Sequence, residues 1–198
     1  MKNKSSLQRR HLLGAALLPW LGACGDKLSF KSIDITGANY ALDFDLPDTE
    51  GRARRLSDFQ GKAVVLFFGY TQCPDICPTT LTEMQQVMTL LGPQSDKVQV
   101  LFVTVDPERD TAAILKQYVP SFDSRFLGLR PADEAALEKV TKDFKIYYKK
   151  VPGNSPGSYT MDHSAGSYAF DQEGRLRLYI KHTQGPETLA HDLKELLK

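Results

Sequence analysis

Two cysteines four positions apart, Cys73 and Cys77, are the side chains of this sequence best suited to chemistry. They lie in Phe67-Phe68-Gly69-Tyr70-Thr71-Gln72-Cys73-Pro74-Asp75-Ile76-Cys77-Pro78-Thr79-Thr80-Leu81. A thiolate is the nucleophile of disulfide exchange and the donor that soft metals prefer, so either chemistry needs a place that stabilises the anion. The spacing is Cys-x3-Cys, not the Cys-x2-Cys of a typical redox turn. The extra residue widens the loop, and a metal can then bridge two sulfurs that can also close into a disulfide. A purely structural disulfide here would contribute little, because a short loop restricts the unfolded chain less than a long one.

The elements around the pair set where it sits. Val64-Val65-Leu66-Phe67-Phe68 is an unbroken apolar run, the mark of a strand buried on both faces. Downstream, Pro78 suits the first position of a helix, and Leu81, Met84, Met88 and Leu91 then fall on one apolar face. That periodicity makes Met84 and Met88 core residues rather than thioether ligands. Gly92-Pro93 stops the helix. Both cysteines therefore belong to a strand-to-helix turn. Cys77 is expected at the helix mouth, where free N–H groups and the helix dipole would hold a thiolate.

Val98 to Val105 reads as a second buried strand, and strand, helix, strand in this order predicts a right-handed parallel unit. Asp106-Pro107 closes that strand and puts Asp106 at the same sheet edge as Cys73, where ligand chemistry gathers in open α/β sheets. Ile33 to Thr36 reads as an edge strand, and Phe44 to Leu56 as a hairpin turning at Asp48-Thr49-Glu50-Gly51. Helices are expected over 111–119, through the face of Leu137, Val140 and Phe144, and over 187–197. Ile146-Tyr147-Tyr148 reads as a short strand, 151–163 as a long working loop, and 168–180 as a hairpin. The sum is a thioredoxin-like α/β fold: a mixed sheet of four or five strands flanked by helices, with an N-terminal β-hairpin extension.

Three segments carry a family resemblance. Gly69 to Pro78, Val105-Asp106-Pro107-Glu108-Arg109-Asp110-Thr111 and Asp162-His163-Ser164 resemble, in order, the signatures of the Sco/SenC family. The likeness extends over roughly residues 30–198. It implies a copper-binding factor that serves the dinuclear copper centre of a cytochrome c oxidase subunit, either delivering copper or keeping that centre's cysteines reduced. It also implies the ligands Cys73, Cys77 and His163, one copper per chain, and exchange with periplasmic copper carriers and thioredoxin-like reductants. The donors suit that metal, because thiolates favour Cu(I) and an imidazole accommodates Cu(II). A structural zinc site would want a fourth protein ligand. His163 without its motif would read as a solvated loop histidine; His182 is a spare donor without a pattern, and His191 falls off the apolar face of the last helix, toward solvent. Met161 is a candidate gate over the metal. Asp75, Asp106 and Asp162 read either as turn residues or as groups that orient the ligands or dock a partner.

Two other functions fit part of the pattern. A thiol–disulfide oxidoreductase would cycle Cys73 and Cys77, but such enzymes place a cis-proline where Asp162-His163-Ser164 stands here. A thiol peroxidase would use a Thr-x-x-Cys context, which Thr71 mimics at a different spacing.

The 198 residues suit one domain with a leader. Hydrophobic content of 41% and charged content of 25% are those of an ordinary globular chain. Residues 1–23 have a basic start with Arg9-Arg10, an apolar middle from Leu12 to Leu21 and a small-residue end, the plan of a signal peptide. Leu21-Gly22-Ala23-Cys24 resembles a bacterial lipobox, which makes Cys24 the expected acylated N-terminus, residues 24–32 a membrane tether and residues 33–198 the copper-binding domain. His11 leaves with the leader. Without residues 1–23 the chain carries 21 basic and 24 acidic residues, a net −3, which argues against a nucleic-acid partner. The chain is thus expected in the cell envelope, facing the periplasm, in an oxidising compartment.

Overall fold

Runs of Val, Leu and Phe supply the strands, and helices fill the crossovers that parallel strands require. The computed structural model describes residues 28–198. The expected leader with His11, the expected lipidation site Cys24 and the first part of the expected tether lie outside those residues. An edge strand β1 (Ile33–Asp34) precedes a small hairpin of β2 (Leu46–Pro47) and β3 (Ala53–Arg54). β4 (Ala63–Gly69), α1 (Ile76–Leu91) and β5 (Val98–Thr104) form the strand–helix–strand unit. α2 (Ala112–Tyr118), β6 (Leu127–Leu129) and α3 (Glu134–Asp143) follow. β7 (Tyr148–Pro152) pairs with β8 (Tyr159–His163), β9 (Ser167–Phe170) with β10 (Leu176–Ile180), and α4 (Pro186–Leu196) is the last helix.

Six strands share one mixed sheet in the order β1-β10-β9-β4-β5-β6. β4, β5 and β6 are parallel, whereas β9 runs antiparallel to β4. This is the expected thioredoxin-like plan, but the sheet has six strands where four or five were expected. β6 escaped the sequence reading because three residues, with Gly128 in the middle, are too short to show a period. All seven residues of β4 are buried, and Phe67, Phe68, Phe102, Phe144 and Phe170 fill the core around it. Their rings meet edge to face, as in Phe67–Phe102 at 5.1 Å and Phe68–Phe144 at 5.4 Å. Met84, Met88 and Met161 are buried in the same core, so Met161 packs as a core residue on the inner face of β8.

Two expectations are corrected. α1 starts at Ile76, not at Pro78, so Cys77 is the second helical residue and Pro78 the third. Pro78 still fits, because the first four N–H groups of a helix have no intrahelical acceptor. Residues 151–163 are not a loop. They are most of the β7–β8 hairpin, whose prolines and glycines are confined to its end, Pro152 to Gly157.

Candidate metal centre

β4 and β5 run parallel and end at the same edge of the sheet, and the turns that follow them build the site. After β4, Tyr70 to Asp75 lead into α1. After β5, Val105 to Thr111 lead into α2. The two turns are joined through Asp110, which is fully buried and accepts from Thr71 Oγ1 at 2.6 Å, Thr71 N at 3.0 Å and Thr104 Oγ1 at 2.6 Å. Burial pushes the Asp110 carboxyl up, against the pull of those donors. The Thr71 hydroxyl is thereby committed to Asp110.

His163, the last residue of β8, completes the site from a third element. Among the described residues, Cys73, Cys77 and His163 place one donor atom each within 4.8 Å of one another. His163 Nε2 lies 3.6 Å from Cys77 Sγ. Its Nδ1 is 2.9 Å from the Ser164 carbonyl, an acceptor only, so Nδ1–H donates and Nε2 presents its lone pair to the sulfurs. The Tyr70 ring stands edge-on to the imidazole at 5.9 Å.

The two cysteines are electrostatically unequal, and the inequality runs opposite to the expected one. Both are free thiols, Cys73 half-buried and Cys77 fully buried. The Cys77 thiol donates to Cys73, and with help from the N–H groups of Asp75 and Cys77 this brings Cys73 down to about 4 against the opposing effect of burial. Cys77 is pushed up by that same hydrogen bond and by burial. The N–H of Cys77 points at Cys73 Sγ from 3.5 Å, so the helix start stabilises the sulfur that precedes it. The resident thiolate is Cys73. With iodoacetamide, Cys73 is therefore expected to label at a nearly constant rate from about pH 7 down to about pH 5, with the rate falling as pH approaches about 4. Cys77 should stay unlabelled. Mass spectrometry of the alkylated peptides checks both, and preferential labelling of Cys77 would reverse the assignment.

A shallow cleft of about 440 Å³ opens beside the site, between Asp106, Pro107, Arg130, Leu137, Tyr148 and Met161, and includes none of the three donors. The donor cluster itself is a rim feature, fit for an ion rather than an organic molecule. Two thiol sulfurs and one imidazole nitrogen form a soft, three-membered donor set.

A family model described as SCO1/SenC matches residues 34–198. The chain belongs to the SCO1/SenC family. Copper-bound ScoI of Bradyrhizobium japonicum is 44% identical and superposes over 78% of this chain and 98% of its own, with a TM-score of 0.71. Copper-bound yeast Sco1 is 30% identical over 77% of this chain and 85% of its own, with a TM-score of 0.69. The mitochondrial SCO2 homolog of Bos taurus is 38% identical over 154 residues, which are 77% of this chain and 58% of that relative's length. The chain thus spans less than two thirds of that relative.

Within this SCO1/SenC domain the remaining candidates fall into place unevenly. Asp106 is buried, its carboxylate ion-paired with Arg109 Nε and accepting from Tyr159 OH at 3.0 Å. Asp75 is an exposed residue at the N-cap of α1, with no side-chain capping bond. Asp162 is exposed on β8 opposite Lys149. His182 Nδ1 is 3.2 Å from Thr80 Oγ1 and takes no part in the donor cluster. His191 is only partly exposed and lies 3.0 Å from Asp192, a correction to its expected place in open solvent. Asp192 is buried and accepts the N–H groups of Lys31 and Ser32 at 2.8 and 2.7 Å, which docks the segment before β1 on α4. Sequence reasoning passed over Asp110 and Arg109, although both stand in the Val105–Thr111 motif. Their signal was there: a carboxylate and a guanidinium after a buried strand need partners.

Proposed function

We propose that this chain is a membrane-tethered copper carrier. In this reading Cys73, Cys77 and His163 hold one copper ion as cargo for the dinuclear copper site of a cytochrome c oxidase subunit. The observation that carries the reading is the convergence of three donor atoms within 4.8 Å from two distant segments, the start of α1 with the turn before it and the end of β8. The copper-bound relatives in Bradyrhizobium japonicum and yeast support the choice of ion. Cys73 offers a ready anion at the rim. Cys77 must give up its proton as the ion is taken, so uptake is coupled to proton release. His163 Nε2 needs no deprotonation when Nδ1–H is held by Ser164. Imidazole adds most for Cu(II), and the thiolates most for Cu(I).

A thiol–disulfide oxidoreductase acting on the partner's copper-site cysteines is the second reading, favoured by one feature. An accessible low-pKa Cys73 followed by a buried Cys77 is also the order of an attacking and a resolving thiol. The peroxidase reading loses one of its two supports, because the Thr71 hydroxyl is held by Asp110. His163→Ala separates the first two. It is expected to lower Cu(II) affinity by about 10–100-fold and Cu(I) affinity less, with disulfide-reductase activity largely intact. It should abolish oxidase assembly in cells grown with scarce copper, and added copper should restore part of it. Full assembly by His163→Ala under copper limitation, with loss only in Cys73→Ser or Cys77→Ser, would make the chain a thiol reductase instead.

The location belongs to the same proposal. The lipobox-like Leu21-Gly22-Ala23-Cys24 supports acylation at Cys24, cleavage of residues 1–23 and a periplasm-facing position. No helix among the described residues is long and apolar enough to cross a membrane. Cys24→Ser is expected to leave the leader uncleaved or to release the protein from membranes. Intact mass measurement finding Met1 or an unmodified Cys24 in the wild type would overturn the anchor.

A further inference from the structure

The strand that carries His163 has no hydrogen-bonded place in the main sheet. β7 and β8 pair only with each other, so beyond the chain links to α3 and β9 the position of His163 over the sulfurs depends on side chains. The inner face of β8 presents Tyr159, Met161 and His163, while Thr160 and Asp162 face solvent. Met161 enters the core, and its apolar contact fixes depth but not angle. Tyr159 is held in a more directional way. Its hydroxyl donates to Asp106 Oδ1 at 3.0 Å, and its backbone carbonyl accepts from Arg109 Nη1 at 2.8 Å. The Arg109 guanidinium carbon stands 3.5 Å from the Tyr159 ring centroid, with Lys150 Nζ 3.8 Å from the same centroid. Arg109 Nε is paired with Asp106, so one carboxylate ties the arginine and the tyrosine together.

Arg109 also reaches the thiol turn. Nη1 donates to Gln72 Oε1 at 3.2 Å, next to Cys73, and the guanidinium carbon is 5.6 Å from the Tyr70 ring centroid. Tyr70 is the ring that stands against His163. The side chain is mostly buried, and Nη2 is buried without a hydrogen-bond partner. An arginine placed for solubility would not be desolvated in this way. We propose that Arg109 and Tyr159, locked by Asp106, form a clamp that sets the β7–β8 hairpin so that His163 Nε2 meets the sulfurs. They are positioning residues: neither supplies a donor atom to the ion. This inference rests on the copper reading of the site.

The physical consequence is specific. A hairpin held only at its inner face can swing, and a swinging His163 lowers the fraction of chains with three donors assembled. Loss of the clamp should therefore weaken copper binding chiefly through His163, the bond to the exposed Gln72 side chain being the lesser hold.

The test is a double-mutant cycle with copper ions as the probe. Arg109→Met is expected to lower Cu(II) affinity by about tenfold or more, with a smaller effect on Cu(I). In a His163→Ala background the same substitution should cause little further loss. Tyr159→Leu should behave like Arg109→Met. Tyr159→Phe, which keeps the ring under the guanidinium and loses only the bond to Asp106, should fall between it and the wild type. An equal loss in both backgrounds would show a general structural role and overturn the clamp, as would unchanged Cu(II) affinity in Arg109→Met and Tyr159→Leu. Amide hydrogen exchange of the metal-free reduced protein supplies an independent arm. Arg109→Met should speed exchange across β7 and β8 and leave β4 and β5 protected. Uniform acceleration through the sheet, or none in the hairpin, would overturn the clamp. If the wild type binds no copper, the functional reading fails while the exchange arm still judges the clamp.

Discussion

Oxidation of the Cys73–Cys77 pair is expected to abolish copper binding. In the reduced protein one sulfur is already an anion and the other a thiol, so closing the bond releases two electrons and one proton to a thiol oxidant such as diamide. Both lone-pair donors of thiolate character disappear in that step, leaving His163 alone. Cu(I) affinity should fall by at least about a thousandfold, since the soft donors supply most of it. Reduction should restore about one copper per chain. Cys73→Ser and Cys77→Ser should each reproduce most of the loss. The measurement is anaerobic competition against a Cu(I) chelator, with thiols counted in parallel. Equal copper uptake by the disulfide form would move the site elsewhere. The close approach of the two sulfurs, both within the 4.8 Å cluster, is what makes the same pair eligible for both states.

Gly69→Ala is expected to damage stability and site together. Gly69 ends β4, and a Cβ there would lie 2.6 Å from Cys77 Sγ, 3.0 Å from Phe102 Cε2 and 3.3 Å from Phe67 Cε2. None of these neighbours can yield freely: Cys77 is in the first turn of α1, and the two rings are packed against each other. Overpacking of a filled core costs about 1–3 kcal/mol, and for a domain of this size about 2 kcal/mol lowers Tm by about 4–8 °C. The sulfur is the contact with the shortest distance, so the same substitution should push it off His163 and weaken copper binding. Calorimetry and the chelator competition read the two effects. A variant with wild-type Tm and wild-type affinity would show that the helix start can shift as a unit.

The helix start is one place where local chemistry was readable and its electrostatic outcome was not. The run Val64 to Phe68, the helical period from Leu81 to Leu91 and the pair of cysteines between them placed the thiol turn correctly. Which cysteine carries the charge depends first on the bond from the Cys77 thiol to Cys73, and the N–H of Cys77 adds to it by pointing back at the same sulfur. That direction follows from a helix beginning at Ile76, two residues ahead of the proline that looked like its first position.

The β7–β8 hairpin shows a different limit. Tyr159, Met161 and His163 do alternate with Thr160 and Asp162, but three inward residues next to a proline- and glycine-rich stretch resemble a loop. Only Met161 of the three is apolar in the ordinary sense, so the period-2 signal was weak. The hairpin is stabilised by ring, cation and carboxylate contacts with residues about fifty positions earlier, such as Tyr159 with Asp106. No window of sequence contains both partners.

The division between the two levels follows from range. Apolar periodicity, turn residues and the Cys-x3-Cys spacing act within about one element, so the strands of the β4–α1–β5 unit, the thiol turn and the family motifs could be read from the chain itself. The three donors come from positions 73, 77 and 163, and bringing the last to the first two is a matter of tertiary packing. So are the burial of Cys77, the commitment of Thr71 to Asp110 and the hold of Arg109 on the His163 strand. Each of these depends on distance and desolvation between segments far apart in the chain, which local residue order does not specify.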